Sequence, residues 1–223
     1  MIDLRQRATE PEQLDLGVDE GEAARSLADL RWVNRWLGGR RALLKAVLPH
    51  LPGPRPRLLD VGCGSADLPH LLVGATDRRL LAVGLDVKVA HLRQAPADVA
   101  RVAADVRRLP FPPRTFDVVT ASLFLHHFDG GEVASLLESL FSLCRRALVI
   151  NDLHRARVPY LFGRVVFPLM FRSPVSVADG LVSIRRAFRP AELEGAFASA
   201  GIVGVRVRRS FPYRLVAVAE RTS

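Results

Sequence analysis

Two hydrophobic patterns divide the chain, and the change between them falls at "PGPRP", residues 52–56. Before that point, apolar residues recur at helical spacing between Glu22 and His50, interrupted by the glycine pair at 38–39. After it, short apolar runs alternate with amphipathic stretches. Such alternation is typical of strands joined by helices in a parallel sheet.

The alternating part predicts five strands and three helices. The strands cover residues 57–61, 80–86, 99–104, 115–121 and 147–151, and the helices lie near 67–74, 88–94 and 131–143. Two further strands, "IVGVRVRR" and "RLVAVAE", are joined only by "SFPY", which is too short for a crossover, so one of them is antiparallel. The sequence therefore predicts an α/β fold with a seven-stranded, mostly parallel sheet whose last strand is antiparallel.

The segments around the sheet are assigned by composition and by helix signals. Residues 1–20 are predicted to be a flexible lead-in, and residues 21–223 a single domain that begins with a helical cap over 21–50. A strongly apolar stretch covers 156–172, and "SPVSVADG" after it is predicted to be a loop. A helix is expected in "RPAELEGAFASAG", which has proline near its start and glycine at its end.

Length and composition exclude several classes of protein. The 223 residues are enough for one sizeable core, and no uncharged apolar run reaches 18 residues. Cys63 and Cys144 show no metal-ligand spacing and no secretion signal accompanies them, so we expect a cytoplasmic protein without a metal or disulfide. The net charge is +9, but the arginines are scattered without interleaved aromatic residues, so nucleic acid is not the favoured partner.

The loop "GCGSAD" after the first predicted strand is the candidate ligand site, because open α/β sheets bind ligands at the carboxyl ends of their strands. A dinucleotide fingerprint requires a third glycine at position 67, where this chain has Asp67. A carboxylate there would repel a pyrophosphate at a helix start. No Lys-Ser or Lys-Thr pair follows, so the loop is not a P-loop.

Acidic residues stand at the ends of three successive predicted strands. Asp60 precedes the glycines, Asp86 lies 22 residues after Gly64, and Asp105 follows the third strand. These positions fit S-adenosylmethionine, whose ammonium group, ribose hydroxyls and adenine amino group would contact the three carboxylates in that order. The candidate cofactor-binding residues are Asp60, Gly62, Cys63, Gly64, Asp86, Val87, Asp105, Val106 and Ser122.

Residues about 55–151 resemble class I S-adenosylmethionine-dependent methyltransferases. Four motifs carry the resemblance: "LLDVGCGSAD", "GLDV", "AADVRRLPF" and "FDVVTASLFLHHF". The chain is most similar to the small-molecule branch, which includes ubiquinone/menaquinone-biosynthesis and polyketide-tailoring enzymes. The resemblance implies a Rossmann-like sheet, S-adenosylmethionine as cofactor, and transfer of methyl to oxygen or carbon of a small hydrophobic or aromatic acceptor. The chain departs from the family pattern at Ala66, where a third glycine is common in the family.

Histidines and an aspartate follow the fourth and fifth predicted strands. His126 and His127 lie in "LFLHHF", and either could remove a proton from a phenol or enol, with His127 favoured. The alternative is that both only pack or form hydrogen bonds. Asp152, in "VINDLHRAR", either pairs with a histidine or caps the following helix. The three are the candidate catalytic residues.

Residues 156–188 are predicted to form a substrate lid, with a plain core helix as the alternative. Together with the helix that carries Trp32 and Trp36, this lid would wall an apolar pocket. The segment could also rest on a membrane surface, with Arg164 and Arg172 at the headgroups. Further candidate polar contacts are Asp179, Arg185 and Arg186.

Two other functions stay open. The basic charge motivates an RNA methyltransferase, which would need a contiguous basic face. A module that binds the cofactor without turning it over is the second alternative. We expect a small-molecule partner, no transmembrane segment, and a monomer or homodimer.

Overall fold

The computed structural model describes residues 4–221 and arranges their seven strands in one sheet with the order β3-β2-β1-β4-β5-β7-β6. Strands β1 to β5 pair in parallel, whereas β7 is antiparallel to both β5 and β6. The predicted Rossmann-like fold with an antiparallel last strand is therefore confirmed. The strands are β1 Arg57–Val61, β2 Leu81–Asp86, β3 Val99–Ala103, β4 Phe116–Ser122, β5 Cys144–Leu153, β6 Arg206–Ser210 and β7 Arg214–Glu220.

Helices cover both faces of the sheet and precede it. They are α1 Gln13–Leu16, α2 Glu20–Trp36, α3 Gly39–Val47, α4 Asp67–Ala75, α5 Val89–Leu92, α6 Gly130–Leu143, α7 Arg157–Met170, α8 Pro174–Arg186 and α9 Pro190–Ser199. None of the helices between residues 4 and 221 is long and apolar enough to cross a bilayer. The cytoplasmic location and the oligomeric state stay predictions.

Leu58 and Leu59, which are adjacent in β1, show why the strand has apolar residues at consecutive positions. Leu59 belongs to a core with Leu137 of α6 and Phe197 of α9. Leu58 belongs to a second core on the other face, with Leu43 of α3. Because successive strand residues point to opposite faces, a parallel sheet covered on both sides needs apolar residues at consecutive positions. The polar residues that interrupt this pattern are therefore concentrated at the strand ends.

The predicted loop "SPVSVADG" is wrong, because these residues form most of the first two turns of α8. The Ser173 side chain accepts a hydrogen bond from the Ser176 backbone N–H, and Pro174 occupies the first helical position. Both are helix-start signals, since proline at the first position costs no hydrogen bond. Strand β6 also begins at Arg206, four residues later than predicted.

Residues 4–19, called here the N-terminal strap, lie against α8. The Ala8 backbone N–H donates to the carbonyl of Arg185 at 3.1 Å. The carboxylate of Asp179 accepts hydrogen bonds from the backbone N–H groups of Gln13, at 2.8 Å, and Leu14, at 3.0 Å. The lead-in that was predicted as flexible is thus, from residue 4 onward, laid across the carboxyl edge of the sheet. Asp179 positions the strap in this arrangement.

Candidate active site

A cavity of about 480 Å³ lies at the carboxyl ends of β1 to β4. Its volume is in the range of small-molecule sites. Its lining includes Gly62, Gly64 and Asp86 together with apolar side chains of α2, α7 and α8. The N-terminal strap contributes Glu12 and Asp15 to its wall. The cavity therefore combines polar residues of the glycine loop and strand ends with an apolar part, called here the apolar chamber, formed by these helices.

The glycines of the loop are required by its backbone. Gly62 has φ +62°, and a Cβ added there would lie 2.0 Å from the Phe124 ring. Gly64 has φ +55° and donates its backbone N–H to Asp86 Oδ2 at 2.9 Å. Ala66 also adopts a left-handed conformation, with φ 56°, which explains why glycine suits this position. The loop thus turns sharply, with the Phe124 ring against Gly62 and the Leu27 side chain beside Gly64.

Asp86 ends β2 with its carboxylate beside the glycine loop. Besides the bond from Gly64, its Oδ1 accepts the Lys88 backbone N–H at 2.8 Å. Burial acts to raise the pKa of Asp86, but hydrogen bonds from His91 and from these two backbone groups outweigh it and lower the pKa. Asp86 is therefore ionised at neutral pH, and each oxygen keeps a lone pair for a ligand hydroxyl.

Three more predicted residues line the cavity. Val87 is exposed next to Asp86, and Asp105 and Val106 follow β3 on the adjacent wall. Asp105 Oδ1 accepts the Arg107 backbone N–H at 2.9 Å, which fixes the direction of the carboxylate. The strand ends of the parallel sheet thus bring Gly62, Gly64, Asp86, Val87, Asp105 and Val106 to one cavity.

The remaining predicted cofactor residues lie behind the cavity wall. Asp60 is buried and accepts a hydrogen bond from the Thr120 hydroxyl at 2.6 Å, and burial raises the pKa of Asp60 to about 7. Cys63 is buried, and its backbone N–H donates to the Leu85 carbonyl. Ser122 is buried at the end of β4. These side chains support the loop and strand ends from below.

His126 also lines the cavity and lies between two carboxylates. Its Nδ1 is 2.6 Å from Asp152 Oδ1, and its Nε2 is 3.2 Å from Glu12 Oε1. Burial acts to lower the pKa of His126, but the charges and hydrogen bonds of Asp152 and Glu12 prevail and raise the pKa to about 10. His126 therefore already carries its proton at neutral pH and is not available as a base.

His127 is arranged differently and faces the cavity. Its Nδ1 is 2.6 Å from Asp15 Oδ2, and its Nε2 is 3.9 Å from Glu12 Oε2. Asp15 therefore orients the ring from Nδ1, and Nε2 lies near the Glu12 carboxylate at the cavity wall. Glu12 and Asp15 were missed in the sequence analysis because they fall in the predicted lead-in. Their spacing of three residues places them on one side of a helical turn, but only the fold reveals which histidines they meet.

Asp152 pairs with His126, the first of its two predicted roles. The residue that caps α7 is Ala156, which forms no side-chain cap, so Asp152 does not cap that helix. Burial acts to raise the pKa of Asp152, yet the His126 charge and hydrogen bond lower it. Asp152 therefore stays ionised and holds the imidazolium of His126.

The donor atoms of Glu12, His126 and His127 lie within 4.8 Å of one another, a group that could hold a metal ion. Hydrogen bonds to Asp152 and Asp15 occupy the remaining imidazole nitrogens. These bonds orient the rings whether or not a metal is present, as carboxylates do behind metal-bound histidines.

Comparison with known proteins agrees with this geometry. Residues 58–147 match the family model described as methyltransferase domain. This part of the chain is therefore similar to methyltransferase domains. The matched residues of the domain include the glycine loop, Asp86, Asp105 and both histidines, whereas the strap, α7 and α8 lie outside them.

Two curated relatives are similar to the methyltransferase domain. One is 27-O-demethylrifamycin SV methyltransferase of Amycolatopsis mediterranei (strain S699), 37% identical over 91 residues, which are 38% of this chain and 33% of the relative. The other is ubiquinone/menaquinone biosynthesis C-methyltransferase UbiE of Ectopseudomonas mendocina (strain ymp), 37% identical over 108 residues, 44% of this chain and 42% of the relative. The chain spans less than half the length of either.

Solved structures share the fold of the domain. The structure of human N-acetylserotonin methyltransferase in complex with S-adenosylmethionine superposes with a TM-score of 0.69 at 14% identity. The match covers 92% of this chain and 57% of the human one. At this identity the comparison shows the fold, including the α7–α8 region outside the family match.

Arg214 is a further polar residue of the methyltransferase site, and nothing in the sequence distinguished it from the other arginines. It begins β7, is fully buried and lines the cavity. Its Nη2 donates to Asn34 Oδ1 at 3.2 Å, but Nη1 has no hydrogen-bond partner. Among residues 4–221, no carboxylate lies within 4.0 Å of it. Burial lowers the pKa of Arg214 to about 10 against the opposing charges of Asp152 and Asp67, so it is a buried cation with no carboxylate in direct contact.

The predicted lid segment contributes the apolar wall. Pro159, Phe162 and Phe167 of α7 face the cavity, opposite Val33 of α2. Helix α2, which carries Trp32 and Trp36 and was expected to wall the pocket, does line the cavity, but these two side chains do not. Both side chains lie on the outer side of α2, and the residues that line the cavity from this helix are Ser26, Leu27, Asp29, Leu30 and Val33.

The His126 cluster predicts a pH dependence of stability. The pKa of His126 is about 10 in the folded protein and 6.5 when unperturbed, so its stabilisation is complete below pH 6.5 and is lost as the pH rises through 10. Urea unfolding between pH 6 and 10 should therefore show a decreasing free energy of unfolding that His126→Gln flattens. His70→Gln, which removes an exposed histidine paired with Asp98, is the control. Parallel curves for the wild type and His126→Gln would contradict this assignment.

Proposed function

We propose that the chain is an S-adenosylmethionine-dependent methyltransferase that methylates oxygen or carbon of a small hydrophobic acceptor. One observation carries the proposal: a single cavity joins the ionised Asp86 at the glycine loop to an apolar chamber that contains His127. These two parts suit a nucleoside and an apolar acceptor, respectively. The shared cavity would place the two molecules in contact.

The chain's own residues fit S-adenosylmethionine. The Asp86 carboxylate suits the two ribose hydroxyls, and Asp105 suits the adenine amino group. Gly62 and Gly64 line the cavity and, having no side chains, leave room for a ligand beside the backbone. The unpartnered Nη1 of Arg214 suits the carboxylate of the methionine portion. When bound, the cofactor supplies a methyl group activated by its sulfonium.

Asp60 supports the loop in this proposal and does not touch the ammonium group. Its carboxyl is buried against Thr120, below the cavity wall. The ammonium group is then left to backbone carbonyls at the strand ends. Cys63 and Ser122 take the same supporting role, because their side chains are buried outside the cavity.

His127 is the proposed general base for an acceptor hydroxyl. In this role Asp15 would hold Nδ1–H and Nε2 would accept the proton, and His127 lines the cavity. His126 keeps its proton and fixes Glu12 between the two imidazoles. A carbon acceptor that is already nucleophilic would use the same chamber and would depend less on His127.

The chamber itself contributes positioning and exclusion of water. Methyl transfer is an in-line displacement, so holding the acceptor atom opposite the leaving sulfur supplies much of the rate. Phe162, Phe167 and Val33 offer contacts for an apolar body and no hydrogen-bond partners for water. The names of the two relatives refer to methylation at an oxygen in one case and at a carbon in the other, and both chemistries fit this chamber.

Calorimetric titration with S-adenosylmethionine, and separately with NADH, tests the proposal. Micromolar binding of the first ligand alone is expected, and a screen of phenols and quinols for methyl acceptance follows. Failure to bind S-adenosylmethionine would refute the proposal. Binding without turnover of any acceptor, including RNA, would leave the non-catalytic module as the function.

Arg214→Met tests the carboxylate contact. Affinity for S-adenosylmethionine should fall about tenfold, the lower range for a charged hydrogen bond, while affinity for its decarboxylated analogue stays unchanged. The melting temperature should not fall, because no carboxylate contacts the Arg214 guanidinium that methionine replaces. Arg155→Met is the matched control, since Arg155 is equally buried but pairs with Glu192 and its loss should destabilise the fold. Equal losses for both ligands would contradict the assignment.

A further inference from the structure

The outer face of α7 is an apolar stripe exposed to solvent. Val158, Leu161, Val165 and Leu169 have exposed fractions of 61%, 58%, 68% and 83%. Their spacings of three and four residues place them along one side of the helix. The same helix turns Pro159, Phe162 and Phe167 toward the cavity. One helix is thus apolar on both sides, although only its inner side is covered.

The charges on this segment are all positive. Arg157 and Arg164 are exposed on α7 and Arg172 is exposed just after it, whereas no Asp or Glu occurs between residues 153 and 178. Within the described part of the chain, no carboxylate lies within 4.0 Å of these three guanidinium groups. On a helical projection, Arg157 and Arg164 flank one edge of the stripe. These cations are therefore available to an anionic partner.

The apolar surface extends beyond α7. Phe211, in the connection between β6 and β7, is 91% exposed. Two residues later, the Tyr213 ring lies 5.9 Å from the Phe162 ring of α7. The hairpin connection therefore contacts α7 through Tyr213 and carries an exposed aromatic ring of its own at Phe211.

We propose that the outer face of α7 binds the surface of an anionic bilayer, with Phe211 as a second apolar contact. An apolar stripe with arginines along its edge is the pattern of a helix that lies in the plane of a membrane interface. A protein partner or second copy would need acidic groups to match these arginines, whereas anionic lipid headgroups supply them over any area. The net charge of +9 adds long-range attraction to the same surface.

Membrane binding goes beyond the proposed function and does not depend on it. If the proposed function holds, docking places the wall of the acceptor chamber against the bilayer, because the inner side of α7 forms that wall. An apolar acceptor dissolved in lipid would then have a short path into the cavity. Helix α7, which would contact the membrane, lies outside the family match at 58–147.

Co-sedimentation with vesicles tests the proposal on the full chain. One set of vesicles is pure phosphatidylcholine, and the other contains about 30% phosphatidylglycerol. The protein should bind the anionic vesicles and release them at high salt. The double variant Leu161→Glu/Val165→Glu should bind the anionic vesicles at least about tenfold more weakly, because it places carboxylates on the stripe that would enter the bilayer interface. Arg157→Gln/Arg164→Gln should weaken binding to the anionic vesicles only.

The control is Val203→Glu, which changes an equally exposed valine in the loop after α9 and should keep vesicle binding. Melting curves and S-adenosylhomocysteine titration of every variant show that fold and cofactor site are intact. Absence of vesicle binding, or equal binding by the double variant, overturns the proposal. A concentration-dependent dimer that the double variant abolishes, without vesicle binding, overturns it in favour of a second copy.

Discussion

Replacement of His127 by alanine should lower kcat about 10²- to 10⁴-fold and leave the affinity for S-adenosylhomocysteine unchanged. The expected loss is that of a positioned general base, because His127 lines the cavity while Asp15 holds Nδ1. Cofactor affinity should be unaffected because the proposal assigns His127 to the acceptor and Asp86 to the cofactor. Steady-state kinetics with the best phenolic acceptor, together with calorimetry, measure the two effects.

His70→Ala is the matched control for this prediction. His70 also places Nδ1 2.8 Å from an aspartate, Asp98, but it lies on α4 and does not line the cavity. Asp15→Asn should give an intermediate loss, because the ring keeps a hydrogen-bond acceptor but loses the carboxylate charge. Full activity of the His127→Ala variant would show that His127 is not the general base. Activity that EDTA abolishes and Zn²⁺ restores would instead assign Glu12, His126 and His127 to a metal ion.

The second large effect is expected at the proposed cofactor site. Asp86→Ala should weaken binding of S-adenosylmethionine by roughly 1.5–3 kcal/mol, or about 10- to 150-fold. The carboxylate is ionised and accepts the backbone N–H of Gly64, so its loss removes ligand contacts and loosens the glycine loop together. Calorimetric titration measures the affinity.

Asp117→Ala separates a lost ligand contact from a lost backbone hydrogen bond. Asp117 accepts the Arg57 backbone N–H at 2.8 Å, at the opposite end of the sheet from the cavity. Its replacement should cost stability without changing cofactor affinity. Asp86→Asn keeps one carbonyl oxygen for the loop and should recover part of the stability but little of the affinity. An unchanged affinity in folded Asp86→Ala would remove Asp86 from the site.

The strand ends were predictable because their signals are local. β1, β2 and β4 are consecutive apolar runs, and in a parallel sheet their ends must meet at one edge. That rule alone placed Asp86 and Asp105 beside the glycine loop. It did not place Asp60, because the face to which a strand residue points depends on the register, and this carboxyl turns toward Thr120.

The other contributions to the cavity depend on long-range contacts. Glu12 and Asp15 meet the histidines across more than 100 residues of sequence, and no local pattern encodes that meeting. Arg214 differs from Arg155, another buried arginine, in having no carboxylate in contact, and no local pattern shows this. The loop predicted at the start of α8 was wrong for another reason. The Ser-Pro signal for a helix start was present in the sequence, but the prediction did not use it.

The strap has a consequence for the timing of the reaction. Glu12 and Asp15 belong to it, so the histidines have their full set of partners only while the strap is down over the cavity. If ligands enter and leave past the same segment, the strap must open in each catalytic cycle. The observed turnover rate would then be the intrinsic rate multiplied by the fraction of molecules in which the strap is closed and the base assembled.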